Sequence, residues 1–333
     1  MTSRVQASVE RQNMVLSLAE FADALDERNL IWPRPPAAQA VKATPYVAKL
    51  PGIRAVLWDV YGTLLRVSDG KLSLFPTEEV RLQIALDKTI HEFRMWNHMY
   101  RKPGPPWQSM IGQYTNLVER LGMVASERKG DFTDVDLTDV WQAIIEKLFE
   151  KEYQFDESEF GSLHDYSQKV AYFFHSSLQG LEARPGAVAA MTDIAAMGLF
   201  QGLLADSQPF TLVQLLRALA QQATLPPLHE FLRSETLTLS SQLGIRKPSR
   251  TLFSLAAEKL RELGVQPDEI LHVSCRLETD LVPARNAGMK TALLAAEKLG
   301  LQVPAELLRD PQTRPDRLLT DLSQLRSVLG SGS

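Results

Sequence analysis

Ile53-Arg-Ala-Val-Leu-Trp-Asp-Val-Tyr-Gly-Thr-Leu-Leu65 is the stretch whose reading decides the fold. An apolar run ends on Asp59 and breaks at Gly62, the pattern of a buried strand that delivers a carboxylate to its tip. Parallel sheets place their chemistry at that end of their strands. Around it, the 333 residues are 44% hydrophobic and 23% charged, enough for one large core or two modest ones. The net charge is -4 with both signs interspersed, which gives no electrostatic reason to expect nucleic acid or a membrane surface as partner. A small molecule is the expected partner. The lone Cys275 excludes an internal disulfide framework. The first thirty residues show charges throughout in place of a secretory leader, and no apolar run reaches about eighteen residues, so the chain reads as cytoplasmic.

Residues 1–50 read as an N-terminal helix and a Pro-rich linker. Met14, Leu18, Phe21, Ala22 and Leu25 recur at helical spacing between about residues 8 and 29, and Pro33, Pro35 and Pro36 end the pattern. The apolar stripe either packs on its own chain or forms a homodimer contact. Residues 76–181 then carry helical patterns at 78–98, 107–121, 139–151 and 165–178, as a small inserted bundle requires. From Arg184-Pro-Gly186 onward helix and strand alternate: helix 187–197 closed by Gly198, strand 199–205, strand 235–239, helix 249–263, strand 270–274, helix 280–287, strand 291–294 and strand 317–320. The alternation predicts a parallel sheet with helices on both faces, formed by residues 51–75 and 182–333, and interrupted by an all-α domain at 76–181.

The motif Asp59-x-Tyr-Gly-Thr-Leu resembles the first motif of the haloacid dehalogenase-like (HAD) superfamily, and the likeness extends from about Ile53 to Leu329. The resemblance implies a Rossmann-like doubly wound sheet with a helical cap inserted after the first motif. It also implies a hydrolase in which Asp59 is a covalent nucleophile toward phosphate esters or, in a smaller branch, carbon–halogen bonds. Gly62 and Thr63 would let the backbone turn so that amides hold an oxyanion. Tyr61 stands where family phosphatases carry a second aspartate as general acid. A phenol with a reference pKa of about 10 is a poor substitute, whereas tyrosine at this place is what the metal-independent dehalogenase branch shows. Tyr61 also reads as a packed aromatic.

The second motif ends Leu203-Leu-Ala-Asp-Ser-Gln208. The preferred register puts Ala205 at the family's hydroxyl position with Asp206 beside it, leaving Ser207 as helix N-cap before Thr211; a shift of two makes Ser207 the hydroxyl. In Gly244-Ile-Arg-Lys-Pro-Ser249, Lys247 matches the family's Lys-Pro signature and would approach Asp59 to neutralise charge in the transition state, with Arg246 a weaker candidate.

The fourth motif, Ile270-Leu-His-Val-Ser-Cys-Arg-Leu-Glu-Thr-Asp280, ends its strand on Ser274-Cys275 where phosphatases have Gly-Asp. A thiol forfeits a principal magnesium ligand, so Asp59 and Asp280 are left as candidates for a weak Mg site. Ser274 and Asp280 fit the dehalogenase branch; Cys275 fits it less well and reads as a small buried residue. Alternation lets His272 point away from the site. The other histidines show no metal-ligand spacing. Arg94, Trp96, His98, Tyr100, Arg101 and Lys102 could bind an acidic molecule, or form a solvated helix end.

The reading is a HAD-like hydrolase using Asp59 and Lys247 on a small phosphorylated or 2-halo-carboxylate substrate, with Tyr61, Gly62, Thr63, Asp206, Ser207 and Ser274 in contact with it. The alternative is a catalytically degenerate ligand- or protein-binding module, suggested by Tyr61, Ala205 and Cys275. A third reading gives the N-terminal helix and the large insert a structural or oligomerisation role.

Overall fold

The structure, a computed structural model, describes residues 15–76, 78–99, 104–126 and 128–330. Six strands, β1 Ala55–Trp58, β2 Phe200–Ala205, β3 Leu237–Leu239, β4 Ile270–Ser274, β5 Lys290–Leu294 and β6 Arg317–Leu319, form one sheet in the order β6-β5-β4-β1-β2-β3. Every pairing in it is parallel. The order runs outward from β1 in both directions, so the topological switch point lies between β1 and β4, and a crevice opens beyond their carboxyl ends. Trp58 pairs with Leu203 on one side and Val273 on the other. Asp59 is therefore the first residue past the sheet at the switch point, its N–H donating to the Val273 carbonyl at 3.0 Å.

All four residues of β1 are buried, as a sheet covered on both faces demands. Val56 and Trp58 join a cluster with helix α6, Ala187–Ala196, and helix α7, Thr211–Ala220; Ala55 and Leu57 face helix α8, Arg250–Glu262. The Trp58 indole donates to Gln201 at 3.0 Å, which satisfies the polar atom of that core. Gly202 is required where β2 meets the segment before β3, since a Cβ there would stand 2.3 Å from the Thr236 carbonyl oxygen.

Between β1 and β2 the chain builds helices α2 Glu79–Glu92, α3 Pro106–Gly122, α4 Leu137–Phe149 and α5 Leu163–Leu178. A capping box between Ser162 and Asp165 starts α5, and Pro106 sits at the first turn of α3, where no N–H is needed. Their apolar faces meet around Tyr114, Trp141 and Phe174. Helix α1, Leu18–Glu27, lays Phe21, Ala22 and Leu25 into the same cluster, so its apolar stripe is covered within its own chain. The linker after it is tied down by a Tyr46–Leu318 bridge and by the Lys298 N–H donating to the Gln39 carbonyl at 2.8 Å. None of the described helices is long and apolar enough to cross a membrane.

Several expectations need correction. The helix read at 78–98 stops at Glu92, because Arg94 takes a left-handed φ of 52°, and Met95–His98 is a separate 3-10 turn. The helix read at 280–287 divides into a π-type turn at Leu277–Leu281 and a short helix at Val282–Asn286, with Pro283 in its first turn. Ser207 does not cap α7. Its hydroxyl lies 2.9 Å from that of Ser241, and Thr211 itself accepts from the Gln208 N–H at 2.7 Å. Met14 with the start of the N-terminal pattern, and Tyr100, Arg101 and Lys102, lie outside the described residues.

The insert is fastened to the sheet beside the crevice. Phe132–Thr133 pairs antiparallel with Ile245–Arg246. The Gln208 side chain accepts from the Leu137 N–H and donates to the Val135 carbonyl, both at 2.8 Å. These contacts bring Asp134 to the crevice from the insert.

Candidate active site

Asp59 sits 1% exposed past β1 with both carboxylate oxygens engaged. Oδ1 accepts from Lys247 Nζ at 2.9 Å; Oδ2 accepts from Arg276 Nη2 at 2.7 Å and from the Thr63 hydroxyl at 3.1 Å. Gly62 makes this loop possible. Its φ is +93°, and a Cβ would meet the Gly70 carbonyl oxygen at 2.5 Å. Arg184 holds the same loop from beneath, donating to the carbonyls of Gly62 and Thr63 at 2.7 Å each.

Lys247 reaches the site because the segment before α8 is anchored at its own N–H, which donates to Asp206 Oδ1 at 2.8 Å. Its ammonium bridges Asp59 and Asp280. Burial opposes its charge, but Asp280 and Asp59 outweigh burial and raise its pKa above the ordinary lysine value. Asp280 is fully buried, which by itself favours the neutral acid; Lys247 and Arg276 overcome that and hold it well below the usual carboxylate range. Burial likewise opposes the charge on Arg276, and Asp59 and Asp280 raise it well above normal. Two acids and two bases thus cancel in a buried cluster, the condition under which buried charge is tolerated.

Ser274 lies 3.5 Å from Asp59 and accepts the Arg276 N–H at 3.2 Å. Asp206 lines the crevice, and burial raises its pKa while Lys247 partly offsets the rise. Ser207 turns to Ser240 and Ser241 instead, and β2 ends on Ala205. The Tyr61 hydroxyl faces away from Asp59 and bonds Thr211 at 2.9 Å and Gln214 at 2.8 Å, with burial pushing its pKa up. Arg246 lies over the Phe132 ring, 5.8 Å from its centroid. His272, expected to point away, faces Asp280: its Nε2 is 3.4 Å from Oδ1, and its Nδ1–H donates to the Leu57 carbonyl at 3.0 Å. The π-type turn after β4 folds Asp280 back over the strand and creates that contact.

Arg276 is the principal functional candidate that the sequence reading missed. Its Nε donates to Asp280 at 3.1 Å, its Nη1 to the Tyr61 carbonyl at 2.9 Å and its Nη2 to Asp59. Two buried carboxylates with only one matched cation were a signal for it. The same geometry corrects the magnesium expectation. Oxygens of Asp59, Tyr61 and Asp280 converge as hard ligands would, but a guanidinium fills the space between them, and Mg²⁺ needs near-octahedral oxygens at about 2.0–2.1 Å. The residues present do not fit the ion. Cys275 offers no replacement, since burial pushes its thiol up and its Sγ contacts the Gly300 carbonyl at 3.4 Å.

Above the cluster lies a cavity of about 440 Å³ lined by Tyr61, Lys71, Asp134, Asp206, Arg246, Lys247 and Arg276, among others. Asp134, also missed, is pushed up to about 6 by burial, and its Oδ2 has no hydrogen-bond partner among the described residues. The arrangement offers an anionic ligand two cations already set against carboxylates, with Arg246 and Lys71 at the walls.

Residues 244–325 match the family model described as HAD-hydrolase-like. The chain is 28% identical over 160 residues to a glyceraldehyde 3-phosphate phosphatase of Pyrococcus furiosus, covering 48% of this chain and 60% of that relative's length. Among solved structures, it resembles a HAD phosphatase from Thermococcus onnurineus at 16% identity and TM-score 0.45, over 84% of this chain and 98% of the other. It also resembles an L-2-haloacid dehalogenase from Xanthobacter autotrophicus at 23% identity and TM-score 0.39, over 82% and 96%. The matched segment, which is similar to HAD-hydrolase-like proteins, is the part of the chain that brings Lys247 and Asp280 to Asp59.

Proposed function

We propose that the chain is a hydrolase of the HAD type that acts on a small anionic substrate, with Asp59 as nucleophile and Lys247 as its electrostatic partner. The observation that carries this reading is the Asp59 carboxylate at the switch point, clamped between Lys247 and Arg276 beneath the cavity. In this reading residues 76–181 act as a cap over a core of residues 51–75 and 182–333, and residues 15–50 strap the two together. An Asp59 oxygen attacks the electrophilic atom, the halide or alkoxide departs, and water cleaves the resulting ester or acyl phosphate. Lys247 and Arg276 neutralise charge as it develops. The Tyr61 phenol is engaged elsewhere, so position 61 supplies no proton to a leaving group. Displacement of halide needs none, which favours a 2-halocarboxylate over a phosphate monoester. The Pyrococcus relative's name adds glyceraldehyde 3-phosphate to the substrates worth testing.

A second reading, a binding module without turnover, is favoured by one observation: Asp59 is almost wholly buried, with both oxygens paired. Halide and phosphate release from a panel of 2-haloacids and phosphate monoesters, with EDTA and with Mg²⁺, separates the two. Release that vanishes in Asp59→Asn supports the hydrolase; release that persists in that variant removes Asp59 as nucleophile. Silence across the panel, joined to a ligand-dependent rise in melting temperature, supports the binding module.

A further inference from the structure

We propose that Arg276 is a built-in substitute for a divalent cation, which makes this a metal-independent site by construction. Three oxygens converge on one point from separate parts of the chain: Asp59 after β1, the Tyr61 carbonyl in the following loop, and Asp280 in the turn after β4. Such a set, two carboxylates and a carbonyl, is what a hard cation takes. Here each of the three receives a different nitrogen of one guanidinium, at 2.7, 2.9 and 3.1 Å. The planar fork matches oxygens spread over an arc, as a lysine ammonium could not.

Charge excludes the metal as firmly as space does. Asp59 and Asp280 are already balanced by Lys247 and Arg276. A divalent ion added to this buried cluster would leave two uncompensated positive charges. The neighbouring position agrees: Cys275 turns its thiol to the Gly300 carbonyl and brings no third carboxylate to hold an ion. The backbone fixes the substitution in place. Arg276 is extended, with φ of -116° and ψ of 115°, before the π-type turn begins, and its side chain is 7% exposed.

This inference concerns the same site as the proposed hydrolase but requires no turnover. The test is calorimetric titration of the full chain with MgCl₂ and MnCl₂ alone, paired with melting curves, on wild type, Asp280→Asn, Arg276→Ala and the double variant Arg276→Ala, Cys275→Asp. The wild type is expected to show no saturable binding and no metal-dependent shift. The double variant, freed of the guanidinium and given a third carboxylate, is expected to bind Mn²⁺ saturably and to gain several degrees in melting temperature, an effect lost when Asp280→Asn is added. Saturable binding by the wild type that disappears in Asp280→Asn would overturn the proposal. A folded double variant as blind to Mn²⁺ as the wild type would overturn it too. Should the variants fail to fold, the wild-type titration alone decides. Absence of both metal binding and turnover sinks the hydrolase reading and leaves this one standing.

Discussion

Arg184 and Glu297 form an ion pair at 2.9 Å with side chains 6% and 4% exposed, and Arg184 spends its other donors on the loop that carries Asp59. Glu297 also binds Arg66 at 2.9 Å, so one carboxylate serves two buried guanidinium groups. Glu297→Gln would remove the carboxylate from Arg184 and leave Arg66 with the part-exposed Glu182. We expect a loss of about 3–5 kcal/mol in urea unfolding, the range for breaking a buried pair from one side. A loss under 1 kcal/mol would mean that the loop is held by other contacts.

Tyr61→Phe separates packing from chemistry. The hydroxyl contacts only Thr211 and Gln214 among the described residues. Removing it should cost about 1 kcal/mol of stability and leave any Asp59-dependent kcat unchanged. A drop in kcat of a hundredfold or more would instead place the phenol in the reaction.

Cys275 should be inert in the native protein. Burial raises its pKa, and only 3% of the residue is exposed, so little thiolate is available and less can be reached. Intact-mass spectrometry after iodoacetamide should show no adduct until denaturant is added. Rapid native alkylation would contradict both the burial and the shift.

Asp134 predicts a pH dependence. Burial pushes its carboxyl up to about 6, above its unfolded value of 3.8, against a bond to Ser240 that lowers it and a contribution from Asp206 that raises it further. A pKa raised on folding means that the fold binds the proton more tightly. The associated stability is therefore full below about pH 4 and is lost as pH rises through about 6, on the order of 3 kcal/mol in all. Asp134→Asn should flatten this part of the stability curve. An anionic ligand in the cavity should also bind more tightly to the wild type as pH falls through 6, and this dependence should weaken in the variant. A binding curve with the same pH slope in both proteins would mean that Asp134 does not face the ligand.

By itself the sequence determined the sheet and the order of its candidate site residues. A strand buried on both faces must be apolar along its whole length, so Val56 to Trp58 announces itself, and the first polar residue after it, Asp59, must lie at the tip. Alternating strand and helix patterns then leave few topologies, and Lys247 and Asp280 follow strands of the sheet in the chain, in the segment before α8 and in the turn after β4. The tertiary structure decided what these residues meet. The direction of a loop side chain follows from local dihedrals and from neighbours distant in sequence, and periodicity records neither. Arg276 carries no assigned role in the sequence, and it is the turn after β4 that aims it between Asp59 and Asp280. His272 reads as facing away until the same turn returns Asp280 to it. Asp134, far from every motif, reaches the cavity because Phe132–Thr133 pairs with Ile245–Arg246. Whether a cation site holds a metal or an arginine is decided by such placements, because the carboxylates are the same in both cases and only the space between them differs.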